Sequence, residues 1–199
     1  MIKDFILQFA WPYKAMQYLS GAGRWRSVFV NEYVKPAPGW RILDICCGTA
    51  EVLPVLGPEI NYVGIDYNQH YIKSAQKNFE ATYPRAQFIC SDVTTYEVEE
   101  SARFDRIIMM GAMHHLSDDE VIGILKRVKS LLKVGGRFCS VDGVFLEDQS
   151  ALSRFILKND RGTHIREAGV WVDLVKASIP EAKFEIRRNI ILTEQIIFF

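Results

Sequence analysis

Net charge is missing from this chain, because 24 lysines and arginines are balanced by 24 aspartates and glutamates. No global field therefore draws it to nucleic acid or to an anionic membrane, and any such partner would need a local patch. Long apolar runs are missing too. The uncharged stretch nearest the start, Phe5 to Tyr13, is far shorter than the ~20 residues that span a bilayer. It also lacks the basic flank and small-residue cleavage site of a secretory signal. No membrane span is expected, and a cytoplasmic location is the default. Cysteine is scarce: the four residues Cys46, Cys47, Cys90 and Cys139 never fall into C-x-x-C spacing. That excludes the usual zinc-ligand and redox-pair patterns, so reduced, mostly buried thiols and no metal are expected. Repeats and low-complexity tracts are absent as well.

What is present suits one domain of ordinary size, spanning 1–199. Apolar, β-branched runs bounded by turn residues predict strands at Arg41 to Cys46, Tyr62 to Asp66, Gln87 to Cys90, Asp105 to Met110 and Arg137 to Asp142. Helical spacing lies between them, above all at Gln69 to Ala81 and Asp118 to Leu132. Strand and helix in alternation imply parallel strands with right-handed crossovers. Asn68 is placed to cap the first of these helices, and Ser117 with Glu120 has the form of a capping box on the second. Gly135-Gly136 supplies its stop. Further on, Asp148 to Leu157 and Glu167 to Ile179 read as amphipathic helices, and Phe184 to Arg188 and Gln195 to Phe199 as two closing strands, an antiparallel pair.

Residues 1–38 precede the first strand and are rich in aromatics, among them Trp11, Tyr13, Tyr18, Trp25, Phe29 and Tyr33. Two helices broken at Ser20 to Gly23 are expected there. They pack on the sheet, and they can also roof a ligand cleft at the strand ends. Residues 40–145 then form a binding core, and 146–199 supply an insertion helix and the closing strands.

The first three strands each end at or near an aspartate: Asp44, Asp66 and Asp92. Ligands of open α/β sheets sit in the crevice outside those ends. After Asp44 the run Ile45-Cys46-Cys47-Gly48-Thr49-Ala50 makes a turn of small residues that lets a ligand approach the backbone. Dinucleotide binding is disfavoured, since Cys46 and Glu51 stand where G-x-G-x-x-G requires glycine, and no G-x-x-x-x-G-K-[ST] loop exists. A carboxylate beside the turn also repels a pyrophosphate and attracts an ammonium or a sulfonium.

These residues resemble the class I S-adenosylmethionine-dependent methyltransferases. Leu43-Asp44-Ile45-Cys46-Cys47-Gly48-Thr49-Ala50 is similar to the family's first motif, commonly D-x-G-x-G-x-G, with Cys46 and Ala50 in place of glycines. Val63-Gly64-Ile65-Asp66-Tyr67-Asn68 resembles the second motif, and Cys90-Ser91-Asp92-Val93 the third. Phe104 to Ile108, His115-Leu116, and Leu131 to Phe138 resemble the fourth strand and the Gly-Gly approach to the fifth. The resemblance implies a doubly wound, Rossmann-like α/β fold with a seven-stranded sheet, mostly parallel, its last strand antiparallel, and helices on both faces.

It also implies S-adenosyl-L-methionine as cofactor and S-adenosyl-L-homocysteine as product. In that frame Asp66 holds the ribose hydroxyls, against the plainer role of a helix cap. Asp92 and Val93 recognise adenine, and Tyr67 either packs on adenine or lies on the surface. Asp44 contacts the methionine ammonium or holds the loop formed with Cys46, Gly48 and Thr49. Met110 and Gly111 end strand four beside the methionine moiety.

On the acceptor side, His114 or His115 is a candidate general base, unless both merely fix their loop. Asp142-Gly143 closes strand five where substrates approach. Arg161, His164 and Arg166 either hold an anionic substrate or are solvated surface charge. No N-P-P-Y, D-P-P-Y or Pro-Cys pair is present, so nucleic acid is not the expected substrate and a small-molecule methyl acceptor is. A non-catalytic adaptor on the same fold is the rival. It would be expected to have lost one of the three aspartates.

Overall fold

The computed structural model describes residues 22–199. The first of the two expected N-terminal helices, with Trp11, Tyr13 and Tyr18, lies outside the described residues. The second is α1, Ala22–Phe29, which continues as a wider helical turn over Val30–Val34 and stops at Lys35 in left-handed conformation. Pro36 follows and cannot continue a helix. Trp25, Phe29, Val30, Tyr33 and Val34 are buried, so the aromatic spacing is that of a helix face packed on the sheet.

The elements then run β1 Arg41–Ile45, α2 Leu53–Leu56, β2 Asn61–Asp66, α3 Gln69–Phe79, β3 Ala86–Cys90, β4 Phe104–Met110, α4 Asp118–Leu131, β5 Leu132–Phe145, α5 Ala151–Lys158, β6 Arg166–Glu167, α6 Ala168–Ser178, β7 Phe184–Arg187 and β8 Gln195–Phe198. The sheet order is β3-β2-β1-β4-β5-β8-β7, with the two-residue β6 beside β5. The pairs β1–β2, β2–β3, β1–β4 and β4–β5 are parallel, whereas β8 runs antiparallel to both β5 and β7. This is the doubly wound sheet expected from the sequence, with one short strand added.

Each central strand feeds two cores, because successive side chains point to opposite faces. Leu43, Ile45, Ile107 and Met109 pack with Val121, Leu125, Val128, Trp171 and Val175 of α4 and α6. Ile42, Tyr62, Ile108 and Val141 pack with Phe29, Leu53 and Ala75 of α1, α2 and α3. Both faces are therefore covered, as uninterrupted apolar strands require.

Local signals explain the helix boundaries. Asn68 accepts from the His70 N–H at 2.9 Å, capping α3. In α4 the reciprocal capping box of Ser117 and Glu120 is complete, and Asp118, Asp119 and Glu120 add negative charge where the helix dipole favours it. The Gly135-Gly136 stop is corrected. Helix α4 ends at Leu131, the chain turns straight into β5, and the glycines lie inside that strand. Between Phe104↔Leu132 and Arg106↔Arg137 the β5 side carries extra residues. Gly135 takes φ +77° to accommodate them, and a Cβ at Gly136 would meet the Phe104 carbonyl at 2.9 Å.

The order of the strands creates the site. From β1 the chain winds outward through β2 to β3, then returns to lay β4 on the other side of β1. The carboxyl ends of β1 and β4 therefore diverge at a topological switch point, where such sheets hold ligands.

Candidate functional site

At that switch point lies a cavity of about 940 Å³. Asp44, Cys46, Gly48, Thr49, Asp66, Tyr67, Asp92, Val93, Met110, Gly111 and His115 all line it; His114 does not.

The floor is the turn after β1. Cys46, Gly48 and Ala50 have φ of +56°, +55° and +58°. Left-handed backbone costs a residue with a side chain about 1–2 kcal/mol, yet two of the three positions are not glycine. Cys46 and Ala50 thus keep the backbone that glycine would adopt, which reconciles the sequence departures with the turn. The Gly48 N–H donates to Asp66 Oδ2 at 2.9 Å, and the Asn68 N–H donates to Asp66 Oδ1 at 2.8 Å. One carboxylate therefore ties the β1 turn to the start of α3. Burial raises the Asp66 carboxyl above its ordinary range, against the opposing pull of those two donors.

Asp44 is 3% exposed and accepts from the Tyr62 hydroxyl at 2.7 Å. Burial pushes its carboxyl up to about 7, the Tyr62 bond opposes this, and the nearby Asp66 adds to it. Tyr62 was not singled out by sequence reasoning. The signal lay in the register: Tyr62 and Gly64 share a face of β2, and Gly64 pairs with Asp44. A Cβ at Gly64 would sit 2.9 Å from the Tyr62 ring and from Cys47 Sγ, so the glycine leaves room for the ring to cross to Asp44.

Farther along the wall, Asp92 Oδ1 accepts from the Thr94 N–H and hydroxyl, both at 2.8 Å, closing a tight turn after β3. Val93 is buried beneath it, while Tyr67 stands 80% exposed at the rim. Gly111 follows β4 with φ +60°, and its N–H donates to the Val141 carbonyl at 2.7 Å.

The two histidines differ sharply. His114 Nδ1 lies 2.6 Å from Asp142 Oδ1, and its Nε2 lies 3.2 Å from Asp160 Oδ1. Burial works against charge on this ring, but the two carboxylates outweigh it and raise its pKa to about 9. His115 sits against the same ring, with centroids 4.2 Å apart; burial and the neighbouring His114 lower its pKa. His164 donates its backbone N–H to the His114 carbonyl at 2.9 Å.

Arg161 lines the cavity. The expectation for Arg166 is corrected: it is neither surface charge nor a substrate ligand. It is 8% exposed, pairs with Asp118 at 2.6 Å, and donates to the Leu116 and His164 carbonyls at 2.7 and 2.8 Å. Its guanidinium also lies 4.5 Å from the centroid of the buried Trp171 ring. Arg166 therefore pins the histidine turn to the start of α4. Asp142, wholly buried, supports His114 from within rather than touching the cavity.

Comparison with known proteins places this geometry. Residues 42–136 match a family model described as a methyltransferase domain. That span, just under half of the chain, is similar to the class I S-adenosylmethionine-dependent methyltransferases. It is 28% identical over 149 residues to an uncharacterized methyltransferase of Synechocystis, covering 71% of this chain and 67% of that one. To a demethylmenaquinone methyltransferase of Symbiobacterium thermophilum it is 24% identical over 169 residues, covering 78% and 62% respectively. The chain thus spans about two thirds or less of these relatives' length. Human N-acetylserotonin methyltransferase, solved in complex with SAM, superposes with a TM-score of 0.68 at 16% identity, over 92% of this chain and 52% of that one. At that identity the likeness is one of fold.

Proposed function

We propose that this protein transfers a methyl group from S-adenosylmethionine, held in the cavity at the switch point, to a small-molecule acceptor. The observation that carries this reading is the convergence of Asp44, Asp66 and Asp92, from three successive strands, on one cavity floored by left-handed backbone. Asp66 is the ribose ligand, its orientation preset by two backbone donors. Asp92 and Val93 flank adenine, with Tyr67 available to cover the ring. Met110 and Gly111 border the methionine moiety.

Asp44 makes the charge preference concrete. Among the described residues, no cationic side chain is bonded to this buried carboxylate, which is pushed up to about 7. A ligand ammonium beside it would supply the missing charge, and such pairing is strongest where solvent is excluded. An anionic pyrophosphate would add repulsion instead.

Transfer from a sulfonium is an in-line displacement. The acceptor atom bonds to the methyl carbon, the C–S bond breaks, and its electron pair remains on sulfur as a neutral thioether. The protein's main task is alignment, which can contribute on the order of 7–11 kcal/mol. His115, on the wall, is placed to meet the acceptor; His114 stands behind it as a positioning residue.

The test is thermal unfolding with added ligand, followed by a screen for S-adenosylhomocysteine release with small hydroxylated and quinol-type acceptors. S-adenosylmethionine and S-adenosylhomocysteine should raise the melting temperature and NADH should not, because only a ligand of the native state stabilises it. A folded protein shifted by NADH alone would overturn the proposal.

A further inference from the structure

We infer that His114, His115 and Asp160 form a binding site for one divalent first-row transition-metal cation at the acceptor end of the cavity. This rests on the methyl-transfer reading only for what the cation would do, not for whether it binds.

Each of the three residues offers one donor atom, and those atoms lie within 4.8 Å of one another. The tightest pair, His114 Nε2 and Asp160 Oδ1, is 3.2 Å apart. Two ligands of one tetrahedral zinc, each ~2.0–2.2 Å from the metal, are separated by roughly 3.3–3.5 Å. That edge is therefore already close to formed. His115 is the looser member, its donor atom lying within 4.8 Å of the other two.

The surroundings are those of a metal ligand. Asp142 Oδ1 sits 2.6 Å from His114 Nδ1 and also accepts the His114 N–H at 3.1 Å. A carboxylate on the far nitrogen fixes the tautomer and aims the other nitrogen's lone pair outward, as for metal-bound histidines generally. Asp160 is oriented too, by the Gly162 N–H at 2.7 Å on the same oxygen that faces His114. Glycine is required there, since a Cβ at Gly162 would lie 1.9 Å from His114 Cδ2.

Charge supplies an independent argument. Asp142 is 0% exposed, and among the described residues its Oδ2 has no hydrogen-bond partner. Two carboxylates flank the His114 ring, and a dication that takes the place of the proton on Nε2 keeps positive charge between them. Two imidazoles and one carboxylate suit zinc, cobalt or ferrous iron rather than magnesium or calcium.

Three protein donors leave at least one position open, and His115 places that ion next to the cavity. An acceptor hydroxyl bound to the ion would release its proton to solvent more readily. The resulting oxygen anion would then take the methyl group.

The experiment titrates Co²⁺ into untagged, chelator-treated full-length protein, read by visible absorption and by calorimetry with Zn²⁺. Asp160→Asn and His115→Gln are compared with the wild type, and S-adenosylhomocysteine affinity is measured on the same samples. One ion per chain at micromolar or tighter affinity is expected, weakened at least tenfold in each variant while S-adenosylhomocysteine binding persists. Wild-type protein that binds neither ion below millimolar concentration overturns the site, as does unchanged affinity in both variants. Wild-type protein that binds the ion but not S-adenosylhomocysteine would instead refute the cofactor reading.

Discussion

Replacing Asp44 by asparagine should stabilise the ligand-free protein at alkaline pH and leave it unchanged at acid pH. The wild-type carboxyl moves from 3.8 to about 7, mainly through burial. The folded state holds that proton more tightly than the unfolded chain does. The resulting stabilisation is complete below about pH 4 and is lost as pH rises through about 7. The interval corresponds to about 4 kcal/mol, an upper figure for a group this buried. Asp66, raised in the same direction, contributes a parallel and smaller loss; Tyr62, Cys46 and Cys47 are raised far enough to stay neutral across this range. Asparagine copies the protonated acid and keeps an oxygen for the Tyr62 hydroxyl, so its variant should lack the part of the decline that Asp44 causes, while His114, raised to about 9, adds the same loss above about pH 6.5 to both proteins. Urea denaturation from pH 4 to pH 8.5 measures both curves. The two should coincide near pH 4 and separate by a few kcal/mol above pH 7.5. Parallel curves over the whole range would show that Asp44 is not the titrating group, and the electrostatic case for a cationic ligand would go with it.

Asp66→Asn should weaken S-adenosylhomocysteine binding by about 1.5–3 kcal/mol, the scale of hydrogen bonds to a charged group; unchanged affinity by calorimetry in a folded variant would remove Asp66 from the ribose. Ser117→Ala removes the hydroxyl that accepts the Glu120 N–H in the capping box on α4, leaving the backbone half in place, and should cost about 0.5–2 kcal/mol in chemical denaturation, with no change in ligand affinity. Arg166→Leu leaves the Leu116 and His164 carbonyls without their shared donor and should cost about 1–3 kcal/mol, the scale of buried acceptors left unsatisfied, because the Asp118 partner is largely exposed; an unchanged stability would show that the guanidinium does not hold the histidine turn. Gly162→Ala forces a methyl into the His114 ring and should destabilise by about 1–3 kcal/mol, with faster amide exchange confined to residues 160–164.

The parts legible in the sequence were those carried by local chemistry. Strands β1 to β4 fall within about a residue of their expected limits, because short, largely apolar runs bounded by turn residues admit few other readings. The helix caps at Asn68 and Ser117 needed only three or four consecutive residues. By contrast, β5 begins five residues before Arg137, since α4 hands over to it without a loop and Gly135-Gly136 accommodate a bulge rather than a stop. The two-residue β6 has no periodicity to detect.

For the site, the aspartates and the small-residue turn stood out because their order along the chain is the order of the strands. What holds them did not. The Tyr62–Asp44 bond crosses two strands, the His114–Asp142 contact joins residues 28 apart, and Arg166 reaches Asp118 across 48. Such pairings follow from register and crossover geometry, which no window of neighbouring residues contains.

Calorimetric titration of S-adenosylhomocysteine into the full-length protein at pH 7.5, with NADH as the control, tests the cofactor assignment most directly. Saturable binding of one S-adenosylhomocysteine per chain, weakened by Asp66→Asn and absent for NADH, is the predicted result. A folded protein that gives no heat with millimolar S-adenosylhomocysteine would contradict it.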